Sequence, residues 1–137
     1  MTEPRIIRID LASPQPVYEQ IVNGLRAMLV AGRFSRGEQL PTVRQLAIDL
    51  GVHHNTVAES YRVLAEEGWL DLRRGRGAVV LDRREPKPNE ETKQWFVRRL
   101  EELVAKAITD GVPRPAIADR MTALAKRIVS GERGEKT

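Results

Sequence analysis

The stretch that decides the fold is LPTVRQLAIDLGVHHNTVAESYRVLAEEGWLDLRRGRGAVV, which runs from Leu40 to Val80. Thr42 followed three residues later by Gln45 has the spacing of a capping box, so a helix is predicted to begin at about Thr42. Gly51 ends it. The apolar residues between these limits recur at helical spacing and predict one buried face, formed by Val43, Leu46, Ala47 and Leu50.

A tight turn at Gly51-Val52 leads into a second predicted helix, which ends before Gly68. Its inward stripe is formed by Val57, Tyr61, Leu64 and Ala65. Two short helices joined by a turn that contains glycine are typical of a helix-turn-helix. The start of the second helix in such a motif faces the major groove of duplex DNA, and the candidate base-reading residues are therefore His53, His54, Asn55, Thr56 and Glu59.

A short basic hairpin follows directly after this motif. Residues 69–73 alternate apolar and charged side chains, and residues 78–81 are predicted to be the returning strand. The tip between them contains Arg74, Gly75 and Arg76, beside Arg73. We expect a wing that contacts phosphates or a minor groove, and the alternative is an ordinary solvated turn.

The segment before the motif predicts the first helix of the same domain. It follows Pro14-Gln15-Pro16 and ends near Ala31, before Gly32. Its apolar stripe, interpreted as core, is formed by Val17, Ile21, Leu25, Met28 and Leu29. Residues 5–11, with Ile6 or Ile7 and Ile9, are a candidate edge strand for the hairpin.

Taken together, these spacings resemble the GntR family of bacterial transcription regulators over roughly residues 15–82. The resemblance is carried by Leu40-Pro41-Thr42-x-Arg44-x-Leu46-Ala47, Leu50-Gly51-Val52, Asn55-Thr56-Val57, Tyr61, Leu64, Glu67-Gly68 and Gly75-x-Gly77. It implies a winged head that binds DNA as a dimer and usually represses transcription. Carried over by position, it also implies DNA contacts from Arg44, His54, Asn55, Thr56, Gly75 and Arg76.

Two positions depart from the commoner family pattern, in which position 54 carries arginine and position 53 a serine or threonine that caps the helix. Both are histidine here, and His54 lacks the bidentate fork with which arginine reads guanine. Because imidazole titrates near neutral pH, DNA binding is predicted to be stronger at mildly acidic pH. Adjacent helical positions point about 100 degrees apart and the chain has no cysteine, so no metal site is expected.

Composition agrees with a DNA-binding protein and argues against other classes. The 137 residues carry a net charge of +4 and no cysteine, which excludes a disulfide framework. The sequence has no apolar run near the ~20 residues of a membrane span, so we expect a bacterial cytoplasmic protein associated with the chromosome. Neither a nucleophile set nor a phosphate-binding glycine loop is present, so we expect no enzymatic activity and no cofactor.

A charged segment with Pro86 and Pro88 follows the hairpin and predicts a domain boundary. Residues 1–84 are therefore assigned to a winged helix-turn-helix domain, and residues 85–137 to a linker and a two-helix segment. The first of the two helices is expected to end at Gly111-Val112-Pro113, and the second to begin near Pro115. The fold class is thus mainly α with a small β-wing.

Both helices of this C-terminal segment carry wide apolar stripes, and two helices packed only against each other cannot bury both stripes. We therefore predict a homodimer with a four-helix arrangement, and the alternative is that the helices fold back onto the head. Trp95 and Phe96 also suggest a ligand pocket, although core packing is the stronger interpretation. The predicted dimerisation residues are Trp95, Phe96, Leu100, Leu103, Val104, Ala107, Ile117, Met121, Leu124 and Ile128.

The short tail resembles the YtrA-type subgroup of the family, whose members are commonly repressors that have no large effector domain. The sequence therefore predicts a sequence-specific DNA-binding regulator, most simply a dimeric repressor of a two-fold symmetric operator in double-stranded DNA. The alternative is a ligand- or metal-responsive regulator that uses the helical tail as a pocket for an unidentified small-molecule effector.

Overall fold

The computed structural model describes residues 7–73 and 77–135, with side chains as far as Ser130. The chain divides into two compact units, which we call the head (Met1–Arg84) and the tail (Glu85–Thr137). The described elements of the head are α1 (Val17–Val30), α2 (Val43–Leu50), α3 (His54–Glu66), β1 (Leu70–Arg73) and β2 (Gly77–Val80). Those of the tail are α4 (Glu90–Thr109) and α5 (Arg114–Glu135). The predicted fold class, mainly helical with a small antiparallel hairpin, is confirmed.

The start and end of α2 follow from local chemistry. The Gln45 backbone N–H donates to Thr42 Oγ1 at 3.1 Å, and the Thr42 N–H donates to Gln45 Oε1 at 3.0 Å, which completes the predicted capping box. Gly51 ends the helix with φ of +70°, a left-handed conformation that costs glycine little because it has no Cβ. The turn that sets α3 against α2 is therefore encoded by these few residues.

The core of the head lies between α1, α2, α3 and the hairpin. Ile21 and Leu25 of α1 and Leu64 of α3 are fully buried. Most of the predicted core positions are buried or half-buried as expected. The buried apolar set is Ile7, Ile21, Val22, Leu25, Leu29, Leu40, Leu46, Ala47, Val57, Tyr61, Leu64, Leu70, Ala78 and Val80.

Two buried polar side chains of α3 fix this helix to its surroundings. The Tyr61 hydroxyl donates to the Pro41 carbonyl oxygen at 2.6 Å, and burial raises the pKa of this phenol well above its usual value. Ser60 Oγ contacts the carbonyl oxygens of Thr56 at 2.8 Å and Tyr18 at 3.2 Å. Because buried hydroxyls need partners, these contacts specify how α3 lies against α1 and the segment before α2.

The hairpin pairs β1 with β2 in antiparallel register, with Leu70 opposite Val80 and Arg73 opposite Gly77. Residues 37–40 run along the other edge of β2. The Leu40 N–H donates to the Ala78 carbonyl oxygen at 2.8 Å, and the Val80 N–H donates to that of Glu38 at 2.9 Å. The hairpin is thereby joined to the segment that leads into α2.

The predicted edge strand at residues 5–11 is wrong for its described part, because residues 7–11 form no strand. Ile7 is instead buried against α1, where a Cβ on Gly24 would lie 2.8 Å from Ile7 Cγ2. The edge of β2 is taken by residues 37–40, which the chain brings there immediately before α2. Arg5 and Ile6 lie outside the described residues.

An ion pair joins α1 to the end of α3. Arg26 Nε donates to Glu67 Oε1 at 2.9 Å, and a second nitrogen of the same guanidinium contacts Oε2. The hydrogen bond from Arg26 holds the pKa of the Glu67 carboxyl below its usual value. The positive charge of Arg26 lowers this pKa further, whereas partial burial raises it by a smaller amount than the hydrogen bond lowers it. Residues 41 positions apart in sequence are thus held together by a bidentate contact.

The Glu67→Gln variant tests the pH dependence that this pair implies. A carboxyl with a lowered pKa in the folded state stabilises the protein above its unfolded pKa of about 4.3, and this contribution is lost as the pH falls through the folded value. We therefore expect Glu67→Gln to be less stable than wild type near pH 7, with a difference that shrinks toward pH 3. Urea unfolding at both pH values measures it. The neighbouring exposed Glu66→Gln is the control, and an equal pH dependence there would contradict the assignment to the pair.

Residues 81–89 are neither helix nor strand. Asn89 begins α4, since its Oδ1 accepts hydrogen bonds from the backbone N–H groups of Glu91 at 2.8 Å and Thr92 at 3.3 Å. No residue of α4 is buried within the single chain. Among the helices that the structure describes, none is long and apolar enough to cross a membrane.

Candidate nucleic-acid interface

The start of α3 is capped by a histidine rather than by the serine or threonine that is usual at this position of the motif. The Asn55 backbone N–H donates to Nδ1 of His53 at 3.1 Å. An imidazole nitrogen accepts a hydrogen bond only when it carries no proton, so this cap requires the neutral ring. His53 is therefore the N-cap of α3 through its side chain as well as by its position.

Substitution of His53 tests the cap. We expect His53→Ala to lower the free energy of unfolding by about 0.5–2 kcal/mol at pH 8, while His53→Ser retains most of it because serine is a good N-cap. Urea unfolding followed by circular dichroism measures all three proteins. An unchanged stability of His53→Ala at pH 8 would contradict the cap.

The helix-turn-helix presents an open concavity of about 550 Å³ that gathers several of the predicted DNA-contacting residues. Arg44 of α2 and the two histidines line it, and the His53 and His54 rings stack with their centroids 4.5 Å apart. Asn55 and Glu59 are exposed, whereas Thr56 is half-buried. The structure thus brings Arg44, His53 and His54 to one surface, with Asn55 on the adjoining turn.

Ile48 is a residue of this surface that the sequence argument missed. Its side chain is 83% exposed and lines the same concavity as Arg44. Ile48 comes four positions after Arg44 on α2, which places the two residues on one face of the helix. The sequence does contain a sign of this, because Ile48 is apolar but lies outside the predicted buried stripe of α2. An apolar side chain at such a position is expected at the surface.

The wing is described only at its base. Arg73 Nε lies 2.7 Å from Asp71 Oδ2, so part of its positive charge is offset within β1. The predicted contact residues Arg74, Gly75 and Arg76 lie outside the described residues. Leu72 of β1 is exposed, whereas Leu70 at the start of the same strand is buried.

The predicted dimerisation residues are exposed or half-buried within the single chain. The most exposed is Leu103, at 66%. Exposed with it are Trp95, Phe96, Met121, Leu124 and Ile128. The half-buried residues are Leu100, Val104, Ala107 and Ile117. All of these except Leu100 lie near the turn between α4 and α5. No group of three or more metal-binding side chains occurs in the described part of the chain.

A helix-turn-helix followed by a β hairpin, with its polar second helix start exposed, defines a winged helix-turn-helix DNA-binding protein. Comparison with known proteins gives the family. The profile of "Bacterial regulatory proteins, gntR family" matches residues 17–80. The chain is 30% identical to YtrA from Sulfolobus acidocaldarius, a GntR-family transcription factor, with a TM-score of 0.55 over 76% of this chain and 98% of that one. This chain therefore belongs to the GntR family.

Two further similarities concern one curated relative and one solved structure. The chain is 27% identical to the HTH-type transcriptional repressor YtrA of Bacillus subtilis, over 95% of this chain and 100% of that protein. It also shares its fold with the DNA-binding domain of AraR in complex with operator ORX1, at 22% identity and a TM-score of 0.50, over 54% of this chain and 95% of that one. The chain is a DNA-binding transcriptional regulator, and the relatives it matches are regulators rather than enzymes.

Proposed function

We propose that this regulator is a homodimeric repressor that binds a two-fold symmetric operator in duplex DNA. The repressor function rests on its similarity to Bacillus subtilis YtrA, which is named a repressor and is matched along its whole length. We also propose that it acts in the bacterial cytoplasm, on the chromosome. Two heads on one face of a duplex would read half-sites about 34–36 Å apart.

The observation that carries the DNA-reading surface is the clustering of Arg44, His53 and His54 around one concavity. The exposed Arg44 is suited to a phosphate, because first helices of such motifs cross the DNA backbone. Asn55, exposed in the first turn of α3, has the donor and acceptor that pair bidentately with adenine. We assign Arg74, Gly75 and Arg76 of the wing to phosphates or to the minor groove.

The dimer is supported by the apolar faces of the tail. Trp95, Phe96, Leu103 and Ile128 are each more than half exposed, at 53%, 55%, 66% and 57%. Large exposed apolar patches mark association surfaces, since their burial removes about 25 cal/mol of unfavourable hydration per Å². A second copy of the same helix pair would cover these faces with matching apolar side chains in a four-helix arrangement.

Selection of bound duplexes from a random DNA pool tests the proposal. We expect a two-fold symmetric consensus, with affinity that falls steeply in salt because on the order of 6–10 phosphate contacts release counterions. Recovery of single unpaired sites would contradict the dimer. Enrichment of no sequence would contradict specific binding by the protein alone and would support the alternative that an effector is needed, which thermal-shift screening of small molecules would then pursue.

Variants of the selected complex separate phosphate contacts from base contacts. We expect Arg44→Ala to weaken binding to all sequences and to reduce the salt slope by about 1, whereas Asn55→Ala costs about 1–3 kcal/mol mainly at one base position. Mobility-shift titrations at two salt concentrations measure both. Arg33→Ala, which removes an exposed arginine just after α1, is the matched control for Arg44. Unchanged sequence preference in Asn55→Ala would contradict its assignment as a base-reading residue.

A further inference from the structure

The Arg83 side chain folds back onto the head at the point where the chain leaves it. Its Nε donates to the backbone carbonyl oxygen of Glu67 at 2.7 Å. Its guanidinium carbon lies 4.8 Å from the centroid of the Trp69 ring. A guanidinium over an aromatic face is attracted to the ring, so Arg83 is held by two contacts of different kinds. We call this arrangement the Arg83 anchor.

The anchor contacts the head immediately after α3. The Glu67 carbonyl follows α3, where backbone oxygens lack helical partners and a positive charge is favourable. The Glu67 carboxylate is itself bonded to Arg26 of α1. Gly68 has φ of +88°, and a Cβ there would lie 3.8 Å from Arg83 Cγ. Arg83 is therefore attached where α1, α3 and β1 meet.

The two residues before Arg83 are also bonded to the head. The Leu81 N–H donates to the Trp69 carbonyl oxygen at 2.9 Å, and Asp82 pairs with Arg36 at 3.0 Å. Residues 84–88 then separate the anchor from Asn89, the N-cap of α4. Two of these five residues, Pro86 and Pro88, have restricted φ angles, which makes a short segment stiff.

We propose that Arg83 is a positioning residue that fixes where and in which direction the linker leaves the head, and so limits the separation of the two heads in a dimer. The inference rests on the proposed homodimer and adds to it the side chain that sets half-site spacing. A free linker start would let each head rotate about its tail. When the start of the linker is bonded to the head, only residues 84–88 can change conformation to accommodate a different half-site spacing.

Distance measurement between the two heads tests the anchor without any DNA. The chain has no cysteine, so Ala27→Cys on the exposed side of α1 gives a single site for a nitroxide label. Pulsed electron–electron double resonance on the full-length protein then reports the distribution of distances between the two labels of a dimer. We expect a narrow distribution in the labelled parent and at least a twofold broader one after Arg83→Ala.

The adjacent exposed arginine supplies the matched control. Arg84→Ala removes the same charge one residue further along, and we expect it to leave the distribution unchanged. Trp69→Leu removes the ring but keeps the Glu67 carbonyl, so it should broaden the distribution as a second, independent variant. Circular dichroism melting shows whether each variant is folded. If only one of Arg83→Ala and Trp69→Leu is folded, the distance distribution of that variant decides the outcome.

The results distinguish failure of the anchor from failure of the proposed function. An absence of any intermolecular distance would contradict the dimer itself. A broad distribution in the parent, equal broadening by Arg84→Ala, or no broadening in the folded Arg83 and Trp69 variants would overturn the anchor while leaving the dimer in place. A narrow parent distribution that only the Arg83 and Trp69 variants broaden would support it.

Operator spacing gives the functional measurement. Inserting two base pairs between selected half-sites rotates one head by about 70° relative to the other around the duplex. We expect wild type and Arg84→Ala to lose about tenfold or more in affinity for the lengthened site, and Arg83→Ala to lose about threefold or less. Equal losses in all three proteins would overturn the inference.

Discussion

Leu103→Glu is expected to convert the protein to a monomer and to weaken binding to a paired operator by about 100- to 10,000-fold. Leu103 is 66% exposed on α4 in the single chain and lies within the predicted apolar stripe. A carboxylate there would be desolvated in the four-helix arrangement, which costs far more than the lost leucine contact. Without the dimer, the second head no longer binds at the high local concentration that the first one provides.

The measurements are sedimentation velocity for assembly and mobility shift on paired and single half-sites. Gln94→Glu is the matched control, because it adds the same charge at an exposed position on the opposite side of α4. It should remain dimeric. Binding of Leu103→Glu to a single half-site should equal that of wild type, since the head is untouched. A dimeric Leu103→Glu would contradict the proposed interface.

Leu64→Ala is expected to lower the free energy of unfolding of the head by about 2–5 kcal/mol. Leu64 lies fully buried on α3 within the core cluster. Truncation removes its transfer free energy and leaves a cavity that close-packed neighbours fill only in part. Because small domains are stable by about 5–15 kcal/mol, this one change removes a large fraction of the free energy that keeps α3 folded in place.

Urea unfolding at a single fixed protein concentration measures this loss, since the stability of a dimer depends on concentration. Arg62→Ala, an exposed position on the same helix, is the control and should change the stability by less than about 0.5 kcal/mol. A loss below about 1 kcal/mol in Leu64→Ala would mean that α3 is not held by this core.

Most elements of the fold were predictable because their signals are local. The Thr42–Gln45 capping box begins α2 and Gly51 ends it, and the structure has both where the sequence indicates them. The same holds for the positions of the two hairpin strands and of the turn between α4 and α5. Caps, glycines and apolar periodicity act over a few residues, so they can be recognised before the tertiary structure is known.

The candidate DNA surface was predictable in part. The position of the recognition helix follows from the helix-turn-helix spacing, and Arg44, His53 and His54 indeed meet at one concavity. Ile48 was missed, because the sequence shows that it lies outside the core stripe but not what surface it joins. The roles of Asn55 and of the other contact residues stay predictions until a complex with DNA is measured.

The sequence by itself determined the helices, the hairpin and the polar start of α3, whereas the tertiary structure decided which distant segments meet. Residues 37–40 took the edge of β2 that residues 5–11 were expected to fill. Arg26 is bonded to Glu67, which lies 41 positions later in the sequence, and Arg83 contacts Glu67 and Trp69. Such contacts depend on how packed elements place their ends in space, and that arrangement is set by the whole core rather than by the pattern of any one segment.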